Sequence, residues 1–323
     1  MRYLLRSLPV FAALLTGAVS AVAQQPYPSK SVRILVPYPA GGGVDLVART
    51  LGDELSKRWQ QSIVVENRPG AGGTVASLAL AKSPADGATL IVVASGHAIN
   101  PYLYAKLPYD TFADFTPISL LASSPNILLV RADSPYKTAP DLLEAARQKP
   151  GELSYGMAGN GTSTHLAGEL LKHLAKVDIK AIPYKGGAPV LNDLMGGHIP
   201  MSFNNAPEAL SQISGGALRA LGVTTAARST FLPNVPSLAE AGVPGYDTGV
   251  WWGLLAPAGL PPEITDKIHR DIVEALKTTV VKERLLSLGA VPVGSSPKDF
   301  SALIRADYEK WGPIIKAAGI KGE

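Results

Sequence analysis

Val36-Pro37-Tyr38-Pro39-Ala40-Gly41-Gly42-Gly43-Val44-Asp45 is the segment from which the rest of the chain can be read. An apolar run from Val32 to Val36 leads into it and predicts a buried strand. Behind it, Val44, Val47, Leu51, Leu55 and Trp59 recur at three- and four-residue spacing, which predicts a helix over 44–59. Two prolines stiffen the turn between them, and three glycines let the backbone come close to whatever sits there. The first amides of a helix have no partner within it and give that end a partial positive charge, so the unit suits an anion such as a carboxylate. The same pattern also serves as a bare tight connection. No Gly-Lys-Ser/Thr follows the glycines, which excludes a phosphate P-loop.

Outward from this unit the signals alternate: a strand over 62–66, a helix over 73–82 and a strand over 88–94. Helices between apolar, β-branched strands predict parallel βαβ units, whose ligands sit beyond the carboxyl ends of the strands. The turns Asn67-Arg68-Pro69-Gly70-Ala71-Gly72-Gly73 and Ser95-Gly96-His97 fall at that same end, so three turns are expected around one crevice. Gly70-Ala71-Gly72-Gly73 is not a dinucleotide fingerprint, because Val75 breaks G-x-G-x-x-G.

After apolar runs at 118–121 and 127–130 the pattern restarts. Thr138 is placed to cap a helix over 139–148, with Pro140 in its first turn. A strand over 152–156 leads into Gly159-Asn160-Gly161-Thr162-Ser163-Thr164-His165 and a helix to about 175. A strand over 179–182 leads into Pro183-Tyr184-Lys185-Gly186-Gly187 and a helix near 188–195. Strands over 199–203 and 218–223 flank Asn204-Asn205 and a further helix. The Pro-Tyr and glycines that follow the strand at 182 echo those that follow the strand at 36, which suits two α/β lobes facing each other across a cleft. Val250 to Leu255 predicts another strand, Pro261-Pro262 opens a helix over 263–278, one over 281–288 follows, and Ser296-Pro297 opens the last. The Pro- and Gly-rich segment 229–249 reads as a long return connection. One economical path crosses to the second lobe near 125 and returns near 248.

Residues 1–23 have the form of a secretory leader: Arg2 and Arg6, an apolar run from Leu8 to Ala18 too short to span a membrane, and Ala21-Val22-Ala23 before the expected mature start near Gln24. The chain has no cysteine, so disulfides, thiolate metal sites, a thiol nucleophile and a lipid-bearing cysteine are all excluded. An exported, unanchored protein of the periplasm is the expectation. The whole chain has 30 Lys+Arg against 26 Asp+Glu; without Arg2 and Arg6 the balance is 28 against 26, or +2. That is too even to indicate nucleic acid or a membrane surface as partner.

Candidate chemistry is sparse. None of the five histidines forms His-Glu-x-x-His, and although His165 and Glu169 are spaced to share a helix face, no third ligand suggests itself, so no metal or cofactor is expected. His165 helps hold an anion near its helix start or simply packs there. Gly161-Thr162-Ser163-Thr164-His165 lacks the second glycine of a serine elbow. A secreted hydrolase acting through Ser163 and His165 is the remote alternative. The hydroxyls of Thr162, Ser163 and Thr164 read as hydrogen-bond donors or as helix caps. Asp45 and Arg49 are four apart, an i,i+4 pair on a helix surface, unless Asp45 orients the glycine turn or receives a ligand ammonium. Tyr38 and Tyr184 wall a cleft or pack a hinge; Trp251 and Trp252 read as core.

Together, Pro37-Tyr38-Pro39-Ala40-Gly41-Gly42 with Asp45 and Ala48-Arg49, Glu66-Asn67-Arg68-Pro69-Gly70-Ala71-Gly72-Gly73, His97-Ala98-Ile99-Asn100-Pro101, Gly159 to Glu169, Pro183-Tyr184-Lys185-Gly186-Gly187, Pro233-Asn234-Val235-Pro236 with Glu240-Ala241-Gly242, and Leu255-Ala256-Pro257-Ala258-Gly259 resemble the Bug/TctC-type solute receptors of tripartite tricarboxylate transporters. The resemblance spans nearly the whole mature chain. It implies a monomeric, non-enzymatic periplasmic binding protein of type II-like α/β fold, with two lobes closing like a flytrap. Residues 27–124 with 249–323 would form one lobe, and 125–248 the other. It implies capture of a small carboxylate (a di- or tricarboxylate, an acidic amino acid or an aromatic acid) held by loop amides, hydroxyls and water, and delivery to membrane permease subunits; a receptor serving a sensor kinase is the alternative. The candidate contacts of the first lobe are Tyr38, Pro39, Ala40, Gly41, Gly42, Gly43, Asp45, Gly70, Ala71, Gly72, Ser95, Gly96 and His97. Those of the second are Gly159, Asn160, Gly161, Thr162, Ser163, Thr164, His165, Tyr184, Lys185, Gly186 and Asn204. Tyr38 departs from the family, which often has Phe, and its hydroxyl would add a polar contact.

Overall fold

The computed structural model describes residues 27–322, and the leader expected over 1–23 lies outside them. The first half of the first lobe alternates as its periodicity predicts: β1 (Val32–Val36), α1 (Gly43–Trp59), β2 (Ile63–Asn67), α2 (Thr74–Ala81) and β3 (Thr89–Ala94). A single 3-10 turn at Ala71–Gly73 precedes α2. Where Ser95-Gly96-His97 reads as a turn, the chain instead runs at once into α3 (Gly96–Leu103), with Pro101 inside it. Five consecutive residues of α3, Gly96 to Asn100, are buried, so no polar face marks it as a helix.

Two long strands carry the chain out of the first lobe and into the second: β4 (Phe115–Ser124) and β5 (Asn126–Arg131), separated only by Pro125. The second lobe continues with α4 (Ala139–Gln148), β6 (Ser154–Met157), α5 (Ser163–Ala175), β7 (Lys180–Pro183), α6 (Gly187–Gly196), β8 (Met201–Asn205), α7 (Ala206–Ser214) and β9 (Leu218–Val223). Thr138 caps α4 through a full capping box with Asp141. The chain then returns without a helix or strand of its own until β10 (Val250–Pro257), followed by α8 (Pro262–Lys277), α9 (Thr279–Ser287), β11 (Val291–Pro292) and α10 (Pro297–Ala318). Ser296 caps α10 by accepting the Asp299 N–H at 3.1 Å.

The two sheets share one plan. The first has the order β11-β4-β10-β3-β1-β2 and the second β7-β6-β8-β5-β9. In each, three strands pair in parallel (β1, β2 and β3 in one, β6, β7 and β8 in the other), the first between the other two, and the strand that has just crossed from the other lobe joins antiparallel beside the third. That strand is β10 in the first sheet and β5 in the second. All parallel strands therefore end on the same side of their sheet, and their following helices begin there.

Period-two burial builds a core on each face of each sheet. Val32, Ile34 and Val36 point to one side with α1 and α8, and Leu35 points to the other with α2 and α10. On β5, Leu128 and Val130 pack under α4 and α5, while Ile127 and Leu129 pack under α6. Gly253 lets α10 lie on β10: a Cβ there would stand 1.9 Å from Cζ of Phe300. Farther along α10, Trp311 and Ile315 leave this core and pack with Leu166 and Leu170 of α5, so one helix contributes to the cores of both lobes.

Candidate functional site

A cavity of about 370 Å³ lies between the strand ends of the two lobes. Its lining includes the N-cap residues of five helices: Gly42 of α1, Ser95 of α3, Thr162 of α5, Gly186 of α6 and Asn205 of α7. Two come from the first lobe and three from the second. Tyr38, Pro189, Val250 and Trp252 give it apolar walls. Gly43 sits against one of them; a Cβ there would stand 2.8 Å from Cζ2 of the buried Trp252. Helix starts with apolar walls and few charges favour an anion held by amides and hydroxyls.

The first rim is fixed from behind by Asp45. Its Oδ2 accepts the Gly41 N–H at 2.9 Å and Arg49 Nε at 3.0 Å, and its Oδ1 accepts Asn67 Nδ2 at 3.0 Å. Asn67 also donates to the Tyr38 carbonyl at 3.0 Å, which ties the turn to the end of β2. Burial alone would raise the Asp45 carboxyl, but the bonds from Arg49, Gly41 and Asn67 outweigh it and hold the group below its ordinary value. Asp45 forms the expected i,i+4 pair with Arg49, but its carboxylate is buried and outside the cavity lining, so it also shapes the turn. Tyr38 does line the cavity, and its hydroxyl has no hydrogen-bond partner among the described residues. Burial pushes its phenol up to about 12, which keeps it a proton donor at neutral pH.

The second rim is a loop locked by its own side chains. Thr162 Oγ1 donates to the Gly159 carbonyl at 2.7 Å, Thr164 Oγ1 accepts the Ala158 N–H at 2.9 Å, and His165 Nδ1 accepts the Gly161 N–H at 3.1 Å. With Nδ1 accepting, the imidazole proton is on Nε2, which lies 3.9 Å from Glu169 Oε1. Burial brings His165 down to about 4, with Glu169 opposing weakly, so it is neutral at pH 7. Ser163 lies within hydrogen-bond distance of Asn126 Oδ1 (3.3 Å) and Asn205 Oδ1 (3.2 Å) and is not paired with His165. The nucleophile–base contact that a hydrolase would need is therefore replaced by two structural contacts. No group of metal-ligating side chains occurs among the described residues.

Of the residues singled out in the sequence, Tyr38 to Gly43, Ser95, Gly96, Thr162, Ser163, Thr164, Lys185 and Gly186 line this cavity together. Lys185 makes no ion pair or hydrogen bond among the described residues. Gly70, Ala71, Gly72, Gly159, Asn160, Gly161, His97, His165, Tyr184 and Asn204 do not line it. His97 packs edge-on to Phe115, 5.0 Å between ring centres. The Tyr184 hydroxyl donates to Asp193 Oδ2 at 2.7 Å. Asn204 is buried and donates to the Gly187 carbonyl at 3.2 Å, while its neighbour Asn205 is the one that reaches the cavity. Trp252, Pro189, Asn205 and Glu208 line it without any sequence motif to mark them. A larger concavity of about 500 Å³ lies at the crossings between the lobes, beside Ser124, Gly249, Asp307 and Lys310, and no helix N-cap lines it.

The model of the tripartite tricarboxylate transporter family receptor, TctC, matches residues 47–320. Among solved structures, Rpa4515 of R. palustris with adipate is 38% identical, with a TM-score of 0.85 over 91% of this chain and 99% of that one. The periplasmic binding protein BugD is 32% identical, with a TM-score of 0.82 over 91% and 99%. MatC of Rhodopseudomonas palustris with bound malate is 33% identical, with a TM-score of 0.80 over 90% and 100%.

Proposed function

This chain belongs to the TctC family of tripartite tricarboxylate transporter receptors, and we propose that it captures a small carboxylate and delivers it to the permease subunits of such a transporter. Receptors of this family are periplasmic solute-binding proteins. In this reading the leader is cleaved near Ala23, and the mature monomer closes one lobe, 27–124 with 249–323, onto the other, 125–248. The observation that carries it is the convergence of five helix N-caps on one interlobe cavity. Amides and hydroxyls from both lobes would bind a carboxylate only when the lobes are together, so ligand stabilises the closed state through its differential affinity. The acids in the adipate and malate complexes of two relatives are of a size that a cavity of about 370 Å³ accommodates.

The test is a thermal-shift panel on mature protein that has been unfolded and refolded to strip carried-over ligand. The panel holds dicarboxylates, citrate, acidic amino acids and aromatic acids at neutral pH. A ligand at a hundredfold its dissociation constant stabilises the fold by about 2.7 kcal/mol, which is visible in Tm. A flat panel from folded protein would remove the carboxylate reading for these classes.

A further inference from the structure

Glu208 is out of place in a cavity built for anions. It is the third residue of α7, where a glutamate ordinarily turns back to the N-cap amide. Here it makes no such bond; its carboxylate lies against Gly187, the first residue of α6, and the residue lines the cavity. Gly187 makes room for it: a Cβ on Gly187 would lie 1.8 Å from Glu208 Oε2, so any side chain there would expel the carboxylate. Its protein partners are neutral amides, with Asn204 Nδ2 at 3.4 Å from Oε2 and the Asn205 side chain beside it. No cationic nitrogen lies within ion-pair distance among the described residues. Asp45, on the other rim, shows the contrast, since its charge is met by Arg49 and a backbone amide. Burial pushes the Glu208 carboxyl above its ordinary value, and the amide bonds from Asn204 and Asn205 only partly offset this.

A carboxylate so placed repels a second carboxylate that comes close to it and attracts a cation. Resting on the small-carboxylate reading of this cavity, we propose that Glu208 sets its specificity by receiving an ammonium group on the ligand. The cavity then takes amino-substituted carboxylates in preference to unsubstituted ones of the same length. The ligand's carboxylate lies at the helix starts and its ammonium at Glu208, so the pair of charges is read by a pair of opposite partners. A charge-assisted hydrogen bond of this kind discriminates by roughly ten- to a hundredfold in affinity.

The experiment compares matched probes by titration calorimetry on refolded protein: aspartate against succinate, and glutamate against glutarate. The same titrations are run on Glu208→Gln, which keeps the shape and the acceptor oxygen, and on Glu208→Ala. Melting curves of the unliganded variants establish that they fold. In the wild type, one amino acid of these pairs binds at least about tenfold tighter than its unsubstituted partner, and both variants reduce or invert that ratio. An unsubstituted acid that binds tighter in the wild type, or a ratio that both folded variants leave unchanged, overturns the role of Glu208 while the carboxylate reading stands. No binding of any of the four acids overturns this inference, and a flat response to the wider acid panel as well would take the carboxylate reading with it.

Discussion

Asp45 and Glu208 are carboxylates beside the same cavity, and their partners give them opposite tasks. Asp45 is saturated by protein donors and holds a turn, while Glu208 faces the cavity with amides alone. The buried histidines show the same logic in their protonation. Burial brings both His97 and His165 down from 6.5 to about 4. Neither ring nitrogen of His97 has a hydrogen bond of good geometry, and the nearby Thr111 backbone opposes the shift only weakly. An unfolded chain takes up protons on these side chains near pH 6.5, whereas the folded chain resists until about pH 4. The unfolded state thus holds more protons in that window, and stability is full above about pH 6.5 and lost as pH falls towards 4. Each histidine contributes a slope of up to about 1.4 kcal/mol per pH unit there. His97→Leu removes one of them and leaves behind only the poorly aligned Thr111 backbone group. Urea unfolding between pH 4 and 7 is expected to show a shallower acid loss in the variant; equal slopes would mean that His97 does not resist protonation.

At the scale of elements, β1 and α1 are legible because a short apolar run gives way to three- and four-residue spacing across a glycine turn, and the turn itself names the first rim. The start of α3 was not, because Ser95-Gly96 looks like a turn and the helix is buried on all sides along Gly96 to Asn100. Gly70 to Gly72 carried as strong a glycine signal as the first rim, yet they do not reach the cavity. The Asn100 amide donates to the Gly72 carbonyl instead, at 3.3 Å. Glu208 had no signal at all. It lies one turn into an ordinary amphipathic helix, and only its contact with Gly187, distant in sequence, turns it inward. Trp252 is core, as its apolar run predicts, and it also walls the cavity, because β10 runs antiparallel to β3 and its first residues lie beside the end of β3, where the cleft begins. Its packing against Gly43 gives a prediction for the α1 start. Gly43→Ala forces a methyl to within 2.8 Å of Trp252, a ring too enclosed to retreat. Overpacking of this kind costs about 1–3 kcal/mol and displaces the Gly41 to Gly43 rim. Denaturant unfolding with ligand titration is expected to show both a lower midpoint and weaker binding; loss of stability with affinity intact would detach this rim from the ligand.

Across the whole molecule, both sheets use one strand order, and the antiparallel member of each is the strand that has just arrived from the other lobe. The crossings therefore lie side by side. Ser124 pairs with Val250, and a Cβ on Gly249 would stand 2.7 Å from the Ser124 carbonyl, so the two crossing segments are in close contact. α10 adds a third link, with Phe300 and Ile304 in the first lobe's core and, farther along, Trp311 and Ile315 in the second's. The helix starts of the two lobes face each other across the cavity beside these links. A ligand that satisfies both rims draws them together, and the motion has a size that scattering detects. A single compact body of 296 residues, the length from 27 to 322, has a radius of gyration of roughly 19 Å, and two separated lobes exceed it. Small-angle scattering of refolded protein is expected to start above that value and contract towards it on saturation with whichever acid shifts Tm. Saturation without contraction would mean that the ligand binds one lobe only, and the five helix starts would then have to be read as two separate sets.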